Sequence, residues 1–249
     1  MTTLTPQRRL KIEGTYNVRD IGGYKTADGR TTRWKTYLRA DSLHNLKPQG
    51  QQALVDYGIK TVVDLRRVRE TVKTPNVFAT SKLARYVHHN MITDTNPATY
   101  GAGEGIWLIY NSYIVLLEER KPQIKEIMTT LSEPDEVPAL FHCAGGTDRT
   151  GIVASMLLGT CGVPDETISE DYGLSAEPLW ERYLVEGPPD GYSMDDLTKR
   201  RERGEFSPPE AMMKTLEHIR VKYGGIDDYL SHIGITEKQM NNIRRALVG

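Results

Sequence analysis

The stretch from Val137 to Leu158 constrains this chain more than any other part of its 249 residues. Val137 to Phe141 is an apolar run of the length of a buried strand. It passes through His142 into Cys143-Ala144-Gly145-Gly146-Thr147-Asp148-Arg149-Thr150, and a helix-like apolar run, Gly151 to Leu158, follows at once. Glycine allows successive backbone N–H groups to turn toward one point. A helix starting near Arg149 adds unpaired N–H groups and the positive end of its dipole. Together they predict a cradle for a tetrahedral oxyanion. Cys143 stands at its start, where the same field favours a thiolate and hence a nucleophile. Arg149, six residues on, has a planar fork that can hold two oxygens of a phosphoryl group, as Lys could not. Thr150 is placed to hydrogen-bond the sulfur or to polarise the group attacking in a second step. His142 is expected to orient the loop through a ring N–H. A lone cysteine at a strand end is usually a small buried hydrophobe. The combination His-Cys-x5-Arg-Thr carries the argument, because chance produces it in roughly one chain of this length in several hundred or fewer.

The remainder of the chain predicts the frame around that loop. Tyr24 to Thr26 and Thr31 to Arg33 flank Asp28-Gly29, a hairpin turn signal, and Thr36 to Arg39 reads as a further short strand. Pro48 opens a helix ending at Gly58. Lys60 to Leu65 is β-branched and reads as a buried parallel strand, and Ala84 to Met91 as another. Helical spacing runs from Gly105 to Leu131 with a break near Pro122. In the C-terminal third, Ser207-Pro208-Pro209-Glu210 and Thr236-Glu237-Lys238-Gln239 both read as capping boxes. Glu177 to Phe206 is polar and punctuated by Gly187, Pro188, Pro189, Gly191 and Gly204, which predicts an irregular insertion, either a lid or a plain surface loop. Trp107, Tyr110 and Tyr113 share a helical face and are expected in the core, as is Cys161.

Composition excludes several classes of function. Lys and Arg number 32 against 33 Asp and Glu, so the basic excess of a nucleic-acid binder is missing. Two cysteines cannot build a disulfide framework or a multi-cysteine zinc site. His88 and His89 fall on opposite faces of a strand, which does not suit one metal. The longest mostly apolar run, Gly151 to Val163, falls short of the ~20 residues of a membrane span, and the mean hydropathy of −0.50 agrees. A cytoplasmic protein without integral membrane segment, nucleic-acid partner, cofactor or metal is expected.

The motif His142-Cys143-x5-Arg149-Thr150 resembles the phosphate-binding loop of the cysteine-dependent phosphatases, which include protein-tyrosine, dual-specificity and lipid-directed enzymes. Asn17 to Tyr24, Leu38 to Leu43, Gly58 to Arg66, and the tail from Tyr223-Gly224-Gly225 to Tyr229-Leu230 resemble one bacterial and fungal branch, the atypical tyrosine phosphatases with combined protein and phosphoinositide activity. The resemblance extends over nearly the whole chain except 177–206. It implies a single catalytic domain, 1–249, of α/β class: a central short, mainly parallel sheet flanked by helices, with an N-terminal β-hairpin and a helical C-terminal extension. One position departs from the branch, which usually carries Lys immediately before the Asp-Arg pair; here it is Thr147. An additional cation in the loop would help to hold inositol phosphates, so its absence favours phosphotyrosine.

The implied reaction is two-step hydrolysis of a phosphomonoester, on a phosphorylated protein or a small molecule, through a cysteinyl-phosphate. Ala144, Gly145, Gly146, Thr147, Asp148 and Arg149 would bind the phosphoryl group. The leaving oxygen needs a proton. Asp94, in the loop where related folds carry their acid, and Asp148, inside the cradle, are both candidates; so is a division of labour between them. Asp64 and Arg66 are expected to pair with Asn17, Arg19 or Arg39 in a buried network supporting the loop. Alternatives that keep the chemistry are phosphoinositide, inositol phosphate or small-metabolite substrates. A phosphate-binding pseudo-enzyme and sulfur or arsenate redox chemistry are the alternatives of other classes.

Overall fold

The computed structural model describes residues 7–92, 104–189 and 191–249. Its centre is a five-stranded sheet of order β1-β2-β5-β3-β4, formed by β1 (Arg19–Asp20), β2 (Tyr37–Ala40), β3 (Thr61–Asp64), β4 (Arg85–His88) and β5 (Ala139–His142). β1 runs antiparallel to β2, and β2, β5, β3 and β4 are mutually parallel. The α/β class and mainly parallel sheet expected from the sequence are therefore present. The turn at Asp28-Gly29 also forms, with Gly29 at φ +85° and a bridge between Lys25 and Thr31.

Alternation along the strands divides the core between the two faces of the sheet. Leu38, Ala40, Val62 and Leu140 face a cluster with Leu54 of α1 (Pro48–Tyr57) and Phe78 of a short 3₁₀ turn. Tyr37, Val63, Ala139 and Phe141 face the larger cluster. That side is covered by α3 (Gly105–Glu119), α4 (Lys121–Ser132), α5 (Asp148–Thr160), α6 (Asp165–Gly173), α9 (Pro209–Tyr223), α10 (Ile226–His232) and α11 (Glu237–Leu247). α5 is buried almost all round, from Thr150 to Leu158, as a helix enclosed by sheet and helices should be. The short α2 (Val68–Lys73) follows β3. Among the described residues no helix is long and apolar enough to cross a membrane.

Three local expectations need correction. Residues 177–206 are largely helical: α7 (Ala176–Glu186) and α8 (Met194–Glu202) pack on each other through Leu179, Leu197 and Phe206. Ser207 does not cap α9; Pro208 holds the N-cap position, and Ser207 Oγ donates instead to Gly173 O at 3.1 Å. Trp107 is 56 % exposed, and Lys214 Nζ lies 4.8 Å from its ring centroid. Tyr113 and Cys161 are buried, and burial pushes the Cys161 thiol up to about 12.

Candidate active site

β5 is the middle strand, with parallel neighbours on both sides, and its C-terminal end delivers Cys143. Open parallel sheets bind ligands at such ends. Cys143 forms the floor of the loop and is 2 % exposed. Gly146 completes the bend at φ +70°, where a Cβ would stand 2.6 Å from Ala40 O; a side chain is excluded both by the backbone conformation and by the lack of room.

The loop carbonyls point outward, each to a named donor. His142 Nδ1 meets Cys143 O at 3.0 Å. Ser42 N and Arg182 Nη1 donate to Ala144 O at 3.1 and 2.6 Å. Asn17 Nδ2 donates to Gly145 O at 3.0 Å and to Gly146 O at 3.3 Å. Arg39 Nη2 donates to Gly146 O at 2.9 Å, and Gly151 N to Thr147 O at 2.6 Å. Across a trans peptide the N–H points opposite the carbonyl. The N–H groups of Ala144, Gly145, Gly146 and Thr147 therefore point away from those anchored carbonyls, and none has an acceptor among the described residues.

Arg149 is held by Glu70, a residue the sequence did not single out. Nη1 and Nη2 of the guanidinium donate to the two Glu70 carboxylate oxygens at 2.6 and 3.0 Å, and Nη1 also reaches Leu65 O at 3.4 Å. The end-on fork is occupied, whereas Nε makes no hydrogen bond among the described residues, so Nε and the second Nη2 proton form the side that could take a phosphoryl group bidentately. Burial disfavours the Arg149 charge, but Cys143, Glu70 and Asp148 together raise its pKa. Burial favours protonated Glu70, yet Arg149 brings its carboxyl below the usual range. The local signal for Glu70 was its place at N3 of α2, where its carboxylate accepts Arg67 N at 2.7 Å.

Asp148 opens α5, and its Oδ1 accepts a hydrogen bond from Tyr113 Oη at 2.6 Å; Tyr113 Oη is also 2.6 Å from Tyr172 Oη. Burial, with Asp148 and Tyr172 next in importance, raises the Tyr113 pKa, so it stays a donor. Thr150 Oγ1 is buried without a hydrogen-bond partner among the described residues. Asp94 lies outside the described residues.

Two separate buried networks support the loop, instead of the single one expected. In the first, Asp64 binds Arg66 through Nη2 at 2.7 Å and Nε at 2.9 Å, and it accepts Tyr86 Oη at 3.1 Å. Burial favours protonated Asp64; the Arg66 guanidinium, bonded to both its oxygens, outweighs this and brings the carboxyl below its ordinary range. Asn76 Nδ2 donates to His142 Nε2 at 2.7 Å. Burial lowers the His142 pKa; because Nε2 accepts from Asn76, the bonding assigns the ring proton to Nδ1, toward Cys143 O. In the second network Asp171 of α6 is the acid, not Asp64. Its Oδ2 accepts Arg39 Nη1 at 2.5 Å and its Oδ1 accepts Arg19 Nε at 3.3 Å, while Arg19 Nη1 also donates to Asn17 Oδ1.

A central strand end, anchored loop carbonyls, a buried sulfur and a braced guanidinium form an arrangement chemically suited to a tetrahedral oxyanion. A sequence model described as a tyrosine phosphatase family matches residues 10–249. The chain belongs to the tyrosine phosphatase family and is a phosphatase. It is 26 % identical over 221 residues to a tyrosine-protein phosphatase of Nostoc commune, covering 84 % of this chain and 72 % of that one. It is 24 % identical over 286 aligned positions to the triple specificity protein phosphatase PtpB of Mycobacterium tuberculosis, covering 96 % and 99 %. A crystal structure of P. aeruginosa TpbA in complex with pTyr aligns with a TM-score of 0.36 at 13 % identity, covering 74 % of this chain and 86 % of that one.

Proposed function

We propose that this phosphatase hydrolyses phosphotyrosine in protein substrates through a phosphocysteine on Cys143. The observation that carries the reading is the outward anchoring of the loop carbonyls after Cys143, together with the end-on grip of Glu70 on the Arg149 guanidinium. The Cys143 thiolate attacks phosphorus in line as the bond to the leaving oxygen breaks. The loop amides and Arg149 bear the charge on the equatorial oxygens. The leaving phenolate takes a proton from Asp94 or Asp148. Water then attacks phosphorus, a carboxylate takes its proton, and the sulfur departs as thiolate. His142, Asp64 and Arg66 keep the loop in shape, and no metal takes part. The whole chain, 1–249, acts as one catalytic domain in the cytoplasm, where cysteines such as Cys143 and Cys161 stay free. Residues 177–206 serve as a cover for the loop.

Support for phosphotyrosine over inositol phosphates comes from Thr147, which is buried and uncharged. A panel of phosphotyrosine peptides, phosphoserine peptides, phosphoinositides and nucleotides tests this. Phosphotyrosine peptides are expected to lead in kcat/KM by about tenfold or more; a phosphoinositide in first place would overturn the assignment. The acid is tested by the pH–rate profiles of Asp94→Asn and Asp148→Asn. Loss of the basic limb, with kcat down about 10²-fold, is expected in at least one of them. An unchanged profile in both would remove both from the role.

A further inference from the structure

Arg182 anchors the loop from outside the sheet. The side chains of Asn17, Arg39 and His142, which bond the other loop carbonyls, come from the strands or the segments beside them. Arg182 belongs to α7, whose apolar face packs into the separate cluster of Leu179, Leu197 and Phe206. Its Nη1 donates to Ala144 O at 2.6 Å, and Nε is oriented by Glu186 Oε2 at 2.7 Å. Glu186 in turn accepts Asn45 Nδ2 at 3.2 Å. Burial disfavours the Arg182 charge, and Glu186 and Asp41 outweigh it. One turn earlier in α7, Leu179 Cδ2 stands 3.0 Å from where a Cβ on Gly145 would be. One apolar and one charged side chain of α7 thus bear on the same peptide unit, Ala144–Gly145.

We propose that Arg182 is a positioning residue of the phosphatase reaction: by drawing Ala144 O outward it aims Gly145 N–H at the transferring phosphoryl group, so that the seating of α7 sets the oxyanion-binding form of the loop. A carbonyl oxygen accepts two hydrogen bonds, and Ser42 N supplies the other at 3.1 Å. Removing Arg182 therefore loosens the peptide without freeing it. The plane of Ala144–Gly145 matters most when charge accumulates on the equatorial oxygens, so the effect belongs to kcat more than to KM.

The inference rests on residues 143–149 being the phosphate cradle, and the test separates the two. The parent enzyme and Cys143→Ser, assayed on an aryl phosphate and with orthovanadate, examine the cradle; an active Cys143→Ser would sink both. Arg182→Met keeps the aliphatic stem and removes the donors. It is expected to lower kcat about tenfold and to raise the vanadate inhibition constant by a similar factor, with KM changed less than about threefold. Arg182→Lys, which keeps a charged donor, should recover most of both. The proposal is overturned if Arg182→Met matches the parent within twofold in kcat and vanadate inhibition. Equal losses in Met and Lys variants, accompanied by a matching fall in thermal midpoint, overturn it as well. If Arg182→Met is not recovered folded, Arg182→Leu, which also lacks the donors, takes its place: a loss of about tenfold in kcat with a parallel vanadate shift supports the proposal, and no change overturns it.

Discussion

Cys143→Ser is expected to abolish turnover, lowering kcat on the order of 10⁴-fold or more while the protein stays folded. The sulfur is 2 % exposed, and in the proposed reaction the loop amides and Arg149 hold the phosphoryl group beside it. Serine offers a hydroxyl that is not ionised at neutral pH and does not take up the attacking role unaided. The loop itself depends on Gly146 and on carbonyl anchors such as Asn17 and Arg39, none of which serine disturbs. Substrate binding should therefore outlast catalysis, and the variant should retain phosphotyrosine peptide with a Kd of the order of the parent KM. Parent turnover should continue with a chelator present. Measurable turnover by Cys143→Ser, or chelator-sensitive turnover by the parent, would contradict the nucleophile assignment.

What the sequence revealed and what it concealed have a common physical origin in the range of the interactions. β3, β5, α1 and α5 are visible because apolar period, proline and glycine act within a few residues. The Cys143–Thr150 loop is visible for the same reason. Glu70 was missed because its partner, Arg149, is 79 positions away. Asp171 was missed because an acid in the last turn of α6 looks like any solvated carboxylate until Arg19 and Arg39 are found around it. α7 and α8 were hidden by Gly187, Pro188 and Pro189, which occupy the connection between them and not the helices. Ser193 and Asp196, which form a capping box at α8, were the overlooked local clue. At Ser207 the serine-proline pattern was misleading, since a contact with Gly173 took the hydroxyl away from the helix end.

The largest loss of stability is expected from Asp171→Asn, which leaves two arginines, Arg19 and Arg39, in the interior without their counter-charge. All three side chains are at most 3 % exposed. Arg39 Nε already lacks a partner among the described residues, and burial together with the adjacent Arg39 charge lowers the Arg19 pKa even with Asp171 in place. Removing one member of a buried pair typically costs about 3–5 kcal/mol because the remaining charge is stranded. For a domain of this size that corresponds to a fall of about 10 °C in Tm. The Asp171 carboxyl also fixes the sign of the pH dependence. Burial raises its pKa, Arg19 and Arg39 outweigh burial, and the folded-state value is about 2, below the ~3.9 of an unfolded chain. Its contribution is therefore complete above about pH 5 and disappears as pH falls toward 2. Chemical denaturation of parent and variant side by side should show a stability gap at neutral pH that narrows on acidification. A Tm within 2 °C of the parent, or a gap that stays constant down to the lowest pH at which both fold, would mean that Arg19 and Arg39 find other counter-charges. In that case the Gly146 carbonyl would be held outward without help from α6, and catalysis in Asp171→Asn would be unimpaired wherever the variant is folded.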